Sequence, residues 1–202
     1  MVLYPGLAVP LHLFEPRYRQ LLTDVQAGDH RFGIICAMPG VEERALPSGR
    51  VGCIAEVTDA ETMEDGRSNI VVIGRERFAL ERFIDDPAPY HVAHVRVVDD
   101  EPGASPVAMA VAGDEVIANF RKVVRAVFTL NDNDAPVPEL PEDGTHLAYA
   151  VAAMIEIDIS ERQAILEERS AVARLQRIDA LLRTALPDLE LKAAMHRARG
   201  QH

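Results

Sequence analysis

Few residues of this sequence combine the type and the spacing that covalent catalysis requires. The two cysteines, Cys36 and Cys53, fall in apolar stretches typical of strands, where a thiol is usually buried and unreactive. A serine–lysine nucleophile would need Lys122 or Lys192, the only lysines of the chain. Lys122 is predicted on the outer face of a helix and Lys192 in a C-terminal tail, so neither gains the burial that turns a lysine into a base. The sequence therefore predicts no catalytic residues.

The sequence also lacks the patterns that hold metals, nucleotides or other cofactors. His91 and His94 come closest to a ligand pair, but residues three apart on a strand point to opposite faces of the sheet. Neither a Walker loop, nor a His-Glu-x-x-His helix, nor a Cys-x-x-Cys pair is present, so the usual phosphate and zinc sites are not expected. We predict that the protein works without a metal ion or a cofactor.

Composition and charge narrow the classes of partner. The 202 residues carry a formal net charge of −11, which disfavours nucleic-acid binding because such proteins need a basic surface. Two cysteines are too few for a disulfide framework and favour a reducing compartment. No run of about 18 apolar residues and no leader pattern occur, so a cytoplasmic protein that does not enter a membrane is expected.

The elements that would position a site begin with the stretch from Pro10 to Arg19, which has the pattern of a strand end followed by a helix. Glu15 stands at the expected N-cap and Pro16 at the first helical position, where the missing proline N–H costs nothing. Alternating apolar residues and turn signals then predict short strands up to residue 101, with a hairpin turn at Asp65-Gly66. Six strands and one helix favour a small closed or nearly closed barrel. The predicted strands are 2–4, 31–37, 51–63, 68–73, 77–84 and 90–98, with a bulge at Gly74 between the fourth and the fifth.

From residue 106 the apolar period changes from two to 3.6, which predicts helices. The first helix should be capped by Ser105 and run to about Leu130, and the breaker-rich stretch 131–143 should form a long surface loop. The segment 145–157 is apolar almost all round, so we expect it to be the most buried helix.

Two more helices are predicted after residue 157. Ser160 to Gln163 form a capping-box pattern for a short helix. Ser170 should cap a last helix, which Pro187 should end, because proline cannot continue a helical hydrogen-bond ladder. The four helices predict a bundle over residues 106–190, and 191–202 should be a tail that is possibly disordered.

Five separated motifs follow one another along the chain. They are Tyr4-Pro5-Gly6 with Pro10 to Arg19, Phe32-Gly33-Ile34, Gly52, Asp65-Gly66-Arg67 with Asn69-Ile70, and Gly74 with Arg77-Phe78. In this order they resemble the LON substrate-binding domain, the N-terminal domain of ATP-dependent protease Lon. The resemblance implies an α+β fold, with a PUA-like β pseudo-barrel and one helix over residues 1–101, followed by a C-terminal four-helix bundle over 106–190.

The same resemblance implies a binding function. In Lon this domain helps to recognise unfolded or tagged substrates. The sequence has no Walker motif and no plausible serine–lysine dyad, so a stand-alone module that is Lon-like in descent only, and not an enzyme, is expected. Its partners would be unfolded or extended polypeptide segments or a partner protein, bound at a strand edge or in a groove between barrel and bundle.

The positions of the family motifs supply the candidate binding residues. They are His12, Phe14, Glu15, Arg17, Tyr18, Arg77 and Phe78. Each also has a purely structural interpretation: Glu15 and Arg17 could form a local ion pair, and Phe78 could pack in the core beside an outward-facing Arg77. Two other functions stay open, a small-molecule-binding regulatory domain or small hydrolase, and RNA binding by the PUA-like barrel, which the acidic charge disfavours. The sequence does not predict an oligomeric state.

Overall fold

The computed structural model describes residues 1–103 and 105–199, and these form two compact units. Unit 1 consists of Met1–Asp99 together with Ile157–Glu167, and unit 2 contains the remaining described residues. The elements of unit 1 are β1 (Ala8–Leu13), α1 (Pro16–Gln26), β2 (Arg31–Ile35), β3 (Val51–Thr62), β4 (Ser68–Ile84), β5 (Val92–Val97) and α4 (Ile159–Glu167). Those of unit 2 are α2 (Pro106–Leu130), α3 (Gly144–Met154) and α5 (Ala171–Arg199).

The sheet of unit 1 is antiparallel and is organised around the long strand β4. Its strand order is β1-β4-β3-β2, and β5 also pairs with β4. The first half of β4 pairs with β1 and the second half with β5, so one strand takes the place of two predicted ones. The ladder between β3 and β4 shifts register beside Gly74, where Ala55 faces Gly74 but Cys53 faces Arg77. The predicted bulge is therefore present, inside a continuous strand.

The number of strands differs from the prediction. Residues 2–4 are not a strand, and the predicted strands 68–73 and 77–84 form the single strand β4. The strand end predicted at Pro10 is the strand β1, so the described residues contain five strands and not the six ranges predicted. Leu3 and Tyr4 are nevertheless buried, and the Tyr4 hydroxyl donates a hydrogen bond to the carbonyl oxygen of Arg162 at 3.0 Å. The apolar character of this segment reflects core packing and not strand pairing.

Helix α1 begins as its sequence predicts, with Glu15 at the N-cap and Pro16 at the first position. It buries Leu22 and Val25 in a core that it shares with the sheet. Burial of this kind supplies most of the stability of a short helix. The other buried members of that core are Leu3, Cys53, Ala55, Ile70 and Val72.

Helix α4 belongs to unit 1 and not, as predicted, to the helical bundle. It begins at Ile159, one residue before Ser160, so Ser160 is not its N-cap and the predicted capping box is wrong. Gln163 is instead buried, and its side-chain amide donates to the carbonyl oxygen of Val51 at 2.8 Å and to Glu167 Oε1 at 2.7 Å. A buried polar side chain needs such partners. The bond to Val51 holds α4 on β3, whereas the bond to Glu167 lies within α4.

Unit 2 consists of three helices, since the fourth helix predicted for the bundle is α4. Helix α3 is the most buried of them, with every residue from Leu147 to Ala152 buried, as the sequence predicts. The Ser105 hydroxyl caps α2 by accepting from the N–H of Ala108, and Ser170 accepts from the N–H of Ala173 at 3.2 Å at the start of α5. Both predicted caps are confirmed.

Helix α5 does not end at Pro187. It continues through the proline to Arg199, so residues 191–199 of the predicted tail are helical, and 200–202 lie outside the described residues. The part beyond Pro187 buries Ala193, and tertiary burial of this kind offsets the hydrogen bond that a proline removes. Of the described helices, none is long and apolar enough to cross a membrane.

Candidate functional site

The corner between β1 and α1 leaves an aromatic side chain open to solvent while hydrogen bonds tie its backbone and its neighbour. Phe14 is 57% exposed, and its ring stacks beside the His12 ring at a centroid distance of 6.1 Å. A hydrogen bond of 2.8 Å joins His12 Nδ1 to Asn69 Oδ1 on β4. Arg19 donates to the carbonyl oxygen of Phe14 at 3.1 Å and to that of Asp65 at 3.0 Å. Both the backbone and the neighbour of Phe14 are therefore tied to the sheet.

Arg17 is the centre of an ion-pair cluster on α1. It donates from Nε to Glu15 at 3.0 Å and from Nη1 to Glu43 at 2.8 Å, and its guanidinium lies 4.6 Å from the centroid of the Tyr18 ring. His91 Nε2 lies 2.9 Å from the same Glu43 carboxylate. The local ion pair between Glu15 and Arg17, which the sequence suggested, is present. The structure adds Glu43 and His91 to this cluster.

The electrostatics of this cluster follow from its pairing. The hydrogen bond to Glu43 raises the pKa of Arg17 above its ordinary value, and the same contact lowers the pKa of Glu43. Burial raises the pKa of the Tyr18 hydroxyl. Each of these shifts favours the ordinary charge state of Arg17, Glu43 and Tyr18 at neutral pH, so the cluster fixes the loop before β3 against α1.

Arg77 and Phe78 are core residues, separate from the exposed corner. Arg77 is only 4% exposed and donates from Nη1 to the carbonyl oxygen of Leu166 at 2.9 Å, so the prediction of an outward arginine is wrong. The Phe78 ring lies so close to Gly52 that a Cβ there would be 2.5 Å from its Cζ atom. Packing against Phe78 thus explains why glycine stands at position 52. Because Arg77 and Phe78 are both buried, neither is placed to touch a partner.

The two thiols are buried. Cys36 and Cys53 are unpaired cysteines, 5% and 0% exposed. Burial raises the pKa of Cys53 to about 12, which removes the thiolate that a nucleophile needs. Within residues 1–103 and 105–199 there is no group of three or more potential metal-binding side chains.

Replacing Cys53 with alanine should flatten the alkaline pH dependence of stability. The unfolded thiol releases its proton near pH 9 and the folded one near about 12, so the unfolded state binds fewer protons between these values. The stabilisation is fully present below about pH 9 and is lost as the pH rises toward about 12. The free energy of unfolding of the wild type should therefore fall more steeply than that of the variant, by up to about 1.4 kcal/mol per pH unit.

Urea unfolding followed by circular dichroism from about pH 8 to 10.5 measures both slopes. The other groups that titrate in this range are common to the two proteins and cancel in the difference. Parallel slopes would contradict the assigned burial of Cys53.

Sequence reasoning missed three residues that organise this region. Glu43 and His91 complete the Arg17 cluster, and Arg19 ties Phe14 to the hairpin turn. Arg19 is the last residue of the motif from Pro10 to Arg19, so its position in that motif could have identified it as a candidate. Glu43 and His91 come from a polar loop and a strand end far away in the sequence, so no local pattern could have joined them to Arg17.

Comparison with known proteins assigns the family. The model for the substrate-binding domain of ATP-dependent protease La (LON) matches residues 1–184. The chain belongs to the LON substrate-binding domain family. This LON domain is 30% identical over 195 residues to Lon protease 2 of Syntrophobacter fumaroxidans, covering 95% of the chain and 24% of that protein. It is 27% identical to the Lon protease of Rhizobium meliloti, covering 88% and 22%. The chain thus spans about a quarter of the length of these curated relatives.

Solved structures support the fold. The Lon N-terminal domain protein from Xanthomonas campestris matches the LON domain with a TM-score of 0.63 and 20% identity, over 89% of this chain and 92% of the other. The N-terminal domain of the Mycobacterium avium complex Lon protease gives a TM-score of 0.65 and 19% identity, over 90% and 92%. The predicted α+β class is therefore confirmed, and the family model confirms the predicted family.

Proposed function

We propose that this LON domain is a non-catalytic module that binds unfolded or extended polypeptide segments through Phe14 and the β1–α1 corner. The family assignment supports a substrate-recognition role, since the matching model describes a substrate-binding domain. The observation that carries the choice of surface is Phe14 itself, a large aromatic side chain 57% exposed on a backbone tied by Arg19.

An exposed aromatic ring on a fixed backbone is suited to binding. Aromatic anchors dominate the energetics of many protein interfaces, and a side chain that is already positioned loses less conformational entropy when a partner arrives. His12 stacks beside Phe14 and is held by Asn69, so the ring is restrained from one side before any partner binds.

Side-chain contacts should contribute more to this recognition than main-chain pairing. Strand β1 pairs with β4 alone among the described strands, so its other edge could accept an extended segment. Pro10 lies within β1 and offers no N–H, which shortens any ladder that could form there. Binding that depends on an apolar anchor and a short ladder would suit loosely sequence-specific recognition.

Three finer points belong to the same proposal. The resemblance implies a PUA-like curvature for the sheet, and the sharing of β4 between β1 and β5 supports it. The acidic chain, with a net charge of −11, should prefer neutral or basic segments. The buried thiols support a module without catalytic activity.

Replacing Phe14 with alanine should weaken binding of an unfolded protein at least about tenfold, because truncating an aromatic anchor commonly costs more than about 1.4 kcal/mol. The probe is fluorescein-labelled lysozyme that has been reduced and carboxamidomethylated, so that it is basic and stays unfolded. Fluorescence anisotropy gives the dissociation constant. The melting temperature should not change, since the ring is largely exposed.

Val97→Ala is the matched control, because Val97 also lies in unit 1 and is 54% exposed, close to the value for Phe14. It should bind within about twofold of the wild type. The proposal is wrong if native lysozyme binds as tightly as the unfolded probe, or if Phe14→Ala and Val97→Ala lose affinity equally.

A further inference from the structure

A basic cleft in unit 2 has no part in the function proposed above. It has a volume of about 730 Å³ and lies between the last turns of α2, the loop that follows, and the end of α5. Arg125, His196 and Arg197 provide its basic side. A smaller groove of about 290 Å³ shares both arginines and adds Lys122 and Glu190. The cations of Lys122, Arg125 and Arg197 thus lie together in a chain whose net charge is −11, and the same two linings include the carboxylates of Asp132, Asp134 and Glu190.

Within residues 1–103 and 105–199, the two arginines of the cleft form no ion pair. Among the residues that the structure describes, neither Arg125 nor Arg197 has a carboxylate within 4.0 Å. Arg183 and Lys192, which lie on α5 as Arg197 does, each form an ion pair with a carboxylate of that helix. Arg125 also lies more than one turn before the end of α2, outside the region where a helix dipole favours a cation. Such guanidinium groups can offer paired N–H donors to an incoming carboxylate.

Besides its basic groups, the cleft has an apolar surface and a surface of hydrogen-bond acceptors. Phe128 and Val137 are half-buried and give it an apolar surface. Asp132 and Asp134 provide acceptors on the loop side, and Asp132 Oδ1 lies 2.9 Å from His196 Nε2. A ligand that satisfies all three surfaces needs an anionic group, an apolar group and hydrogen-bond donors.

We propose that this cleft binds the C-terminal end of a polypeptide. The terminal carboxylate binds Arg125 and Arg197, the last apolar side chain packs on Phe128 and Val137, and backbone N–H groups donate toward Asp132. The volume lies within the range of about 300–1,000 Å³ that is usual for ligand pockets. A phosphate group fits less well, because it carries nearly two negative charges close to the loop carboxylates and leaves the apolar surface uncovered.

The test is a titration of the full, isotope-labelled chain with acetyl-Ala-Ala-Ala-Leu, monitored by amide chemical shifts in two-dimensional NMR. Saturable shifts should concentrate at the end of α2, the following loop and the end of α5. Arg125→Gln and Arg197→Gln should each weaken binding at least tenfold. Arg121→Gln, which removes the same charge from an exposed position on α2 outside the cleft, should bind like the wild type.

The same peptide with a C-terminal amide tests the chemistry on the unchanged protein, and its affinity should be at least tenfold lower. Equal binding of the amide, equal binding of inorganic phosphate, or shifts confined to unit 1 would overturn the proposal. Phe14→Ala should leave this titration unaltered, because Phe14 lies in the other unit. Failure of the unfolded-lysozyme experiment is therefore distinguishable from failure here.

Discussion

Replacing Arg174 with alanine should lower the free energy of unfolding of unit 2 by about 3 kcal/mol, the largest electrostatic effect expected in this protein. Arg174 is 0% exposed and makes two hydrogen bonds to the Asp100 carboxylate, at 2.7 and 2.6 Å. It also donates to the carbonyl oxygen of Glu168 at 2.8 Å, and its guanidinium lies 4.7 Å from the centroid of the Tyr149 ring.

The size of this effect follows from what the substitution leaves behind. Burial alone would lower the pKa of Arg174, but the hydrogen bonds to Asp100 and the charge interactions with Tyr149, Asp100 and Glu168 together outweigh it, so the pKa lies above its ordinary value. Without the guanidinium, the Asp100 carboxylate and the half-buried Glu168 carbonyl group lose these charge-assisted hydrogen bonds, which costs more than the pair contributes when intact. The Asp100 side chain is 31% exposed, and water can partly replace the arginine, so we expect the lower end of the usual range.

Hydrogen exchange at the amides of α3 reports on unit 2 specifically, and urea unfolding gives the free energy. Lys192→Ala is the control, because it breaks an exposed pair on the same helix, Lys192 with Asp188 at 2.7 Å, and should cost less than about 0.5 kcal/mol. Equal protection of α3 in Arg174→Ala and Lys192→Ala would show that the buried pair does not stabilise unit 2.

Gly74→Ala should destabilise unit 1 by about 3 kcal/mol or more, because a Cβ at this position overlaps backbone atoms. It would lie 2.0 Å from the carbonyl oxygen of Tyr4 and 3.2 Å from Cys53 Sγ. The backbone cannot move away freely, since Gly74 accepts from the N–H of Gly6 and donates to the carbonyl oxygen of Leu7, both at 2.9 Å. The segment before β1 must therefore separate from β4 to make room.

Gly113→Ala provides the matched comparison. Gly113 is also buried, but it lies inside α2, and a Cβ there would meet only Leu147 Cδ2 at an ordinary 3.6 Å. Alanine is the better helix former, so this variant should gain about 0.5–1 kcal/mol. Urea unfolding of both variants measures the two opposite changes, and a Gly74→Ala protein as stable as the wild type would contradict the close approach at Gly74.

Local rules predicted the elements whose boundaries depend on neighbouring residues. Pro16 opens α1, Ser105 and Ser170 cap α2 and α5, and Asp65-Gly66 forms the β3–β4 hairpin turn. In each case the deciding interaction involves residues only a few positions apart, which the sequence displays directly. The family motifs also predicted the fold class, because the resemblance depends on five motifs in order and not on any single segment.

Local rules failed where a distant segment changed the surroundings. Arg77 was expected to face outward because Phe78 faces the core, but its side chain meets α4, where the carbonyl oxygen of Leu166 accepts its hydrogen bond. Pro187 was expected to end α5, but burial of Ala193 beyond it keeps the chain helical. Both errors arise because tertiary packing supplies free energy that a local pattern does not contain.

The candidate sites likewise combine features that the sequence determines with features that only the folded chain determines. The sequence by itself determined that Phe14 lies in a diagnostic motif, that α1 starts beside it, and that cysteines and lysines are badly placed for catalysis. Only the tertiary structure decided that Phe14 is exposed on a tied corner while Phe78 is buried, and that Arg125 and Arg197 share a cleft. Exposure and proximity depend on contacts between residues far apart in the chain, and such contacts exist only once the chain has folded.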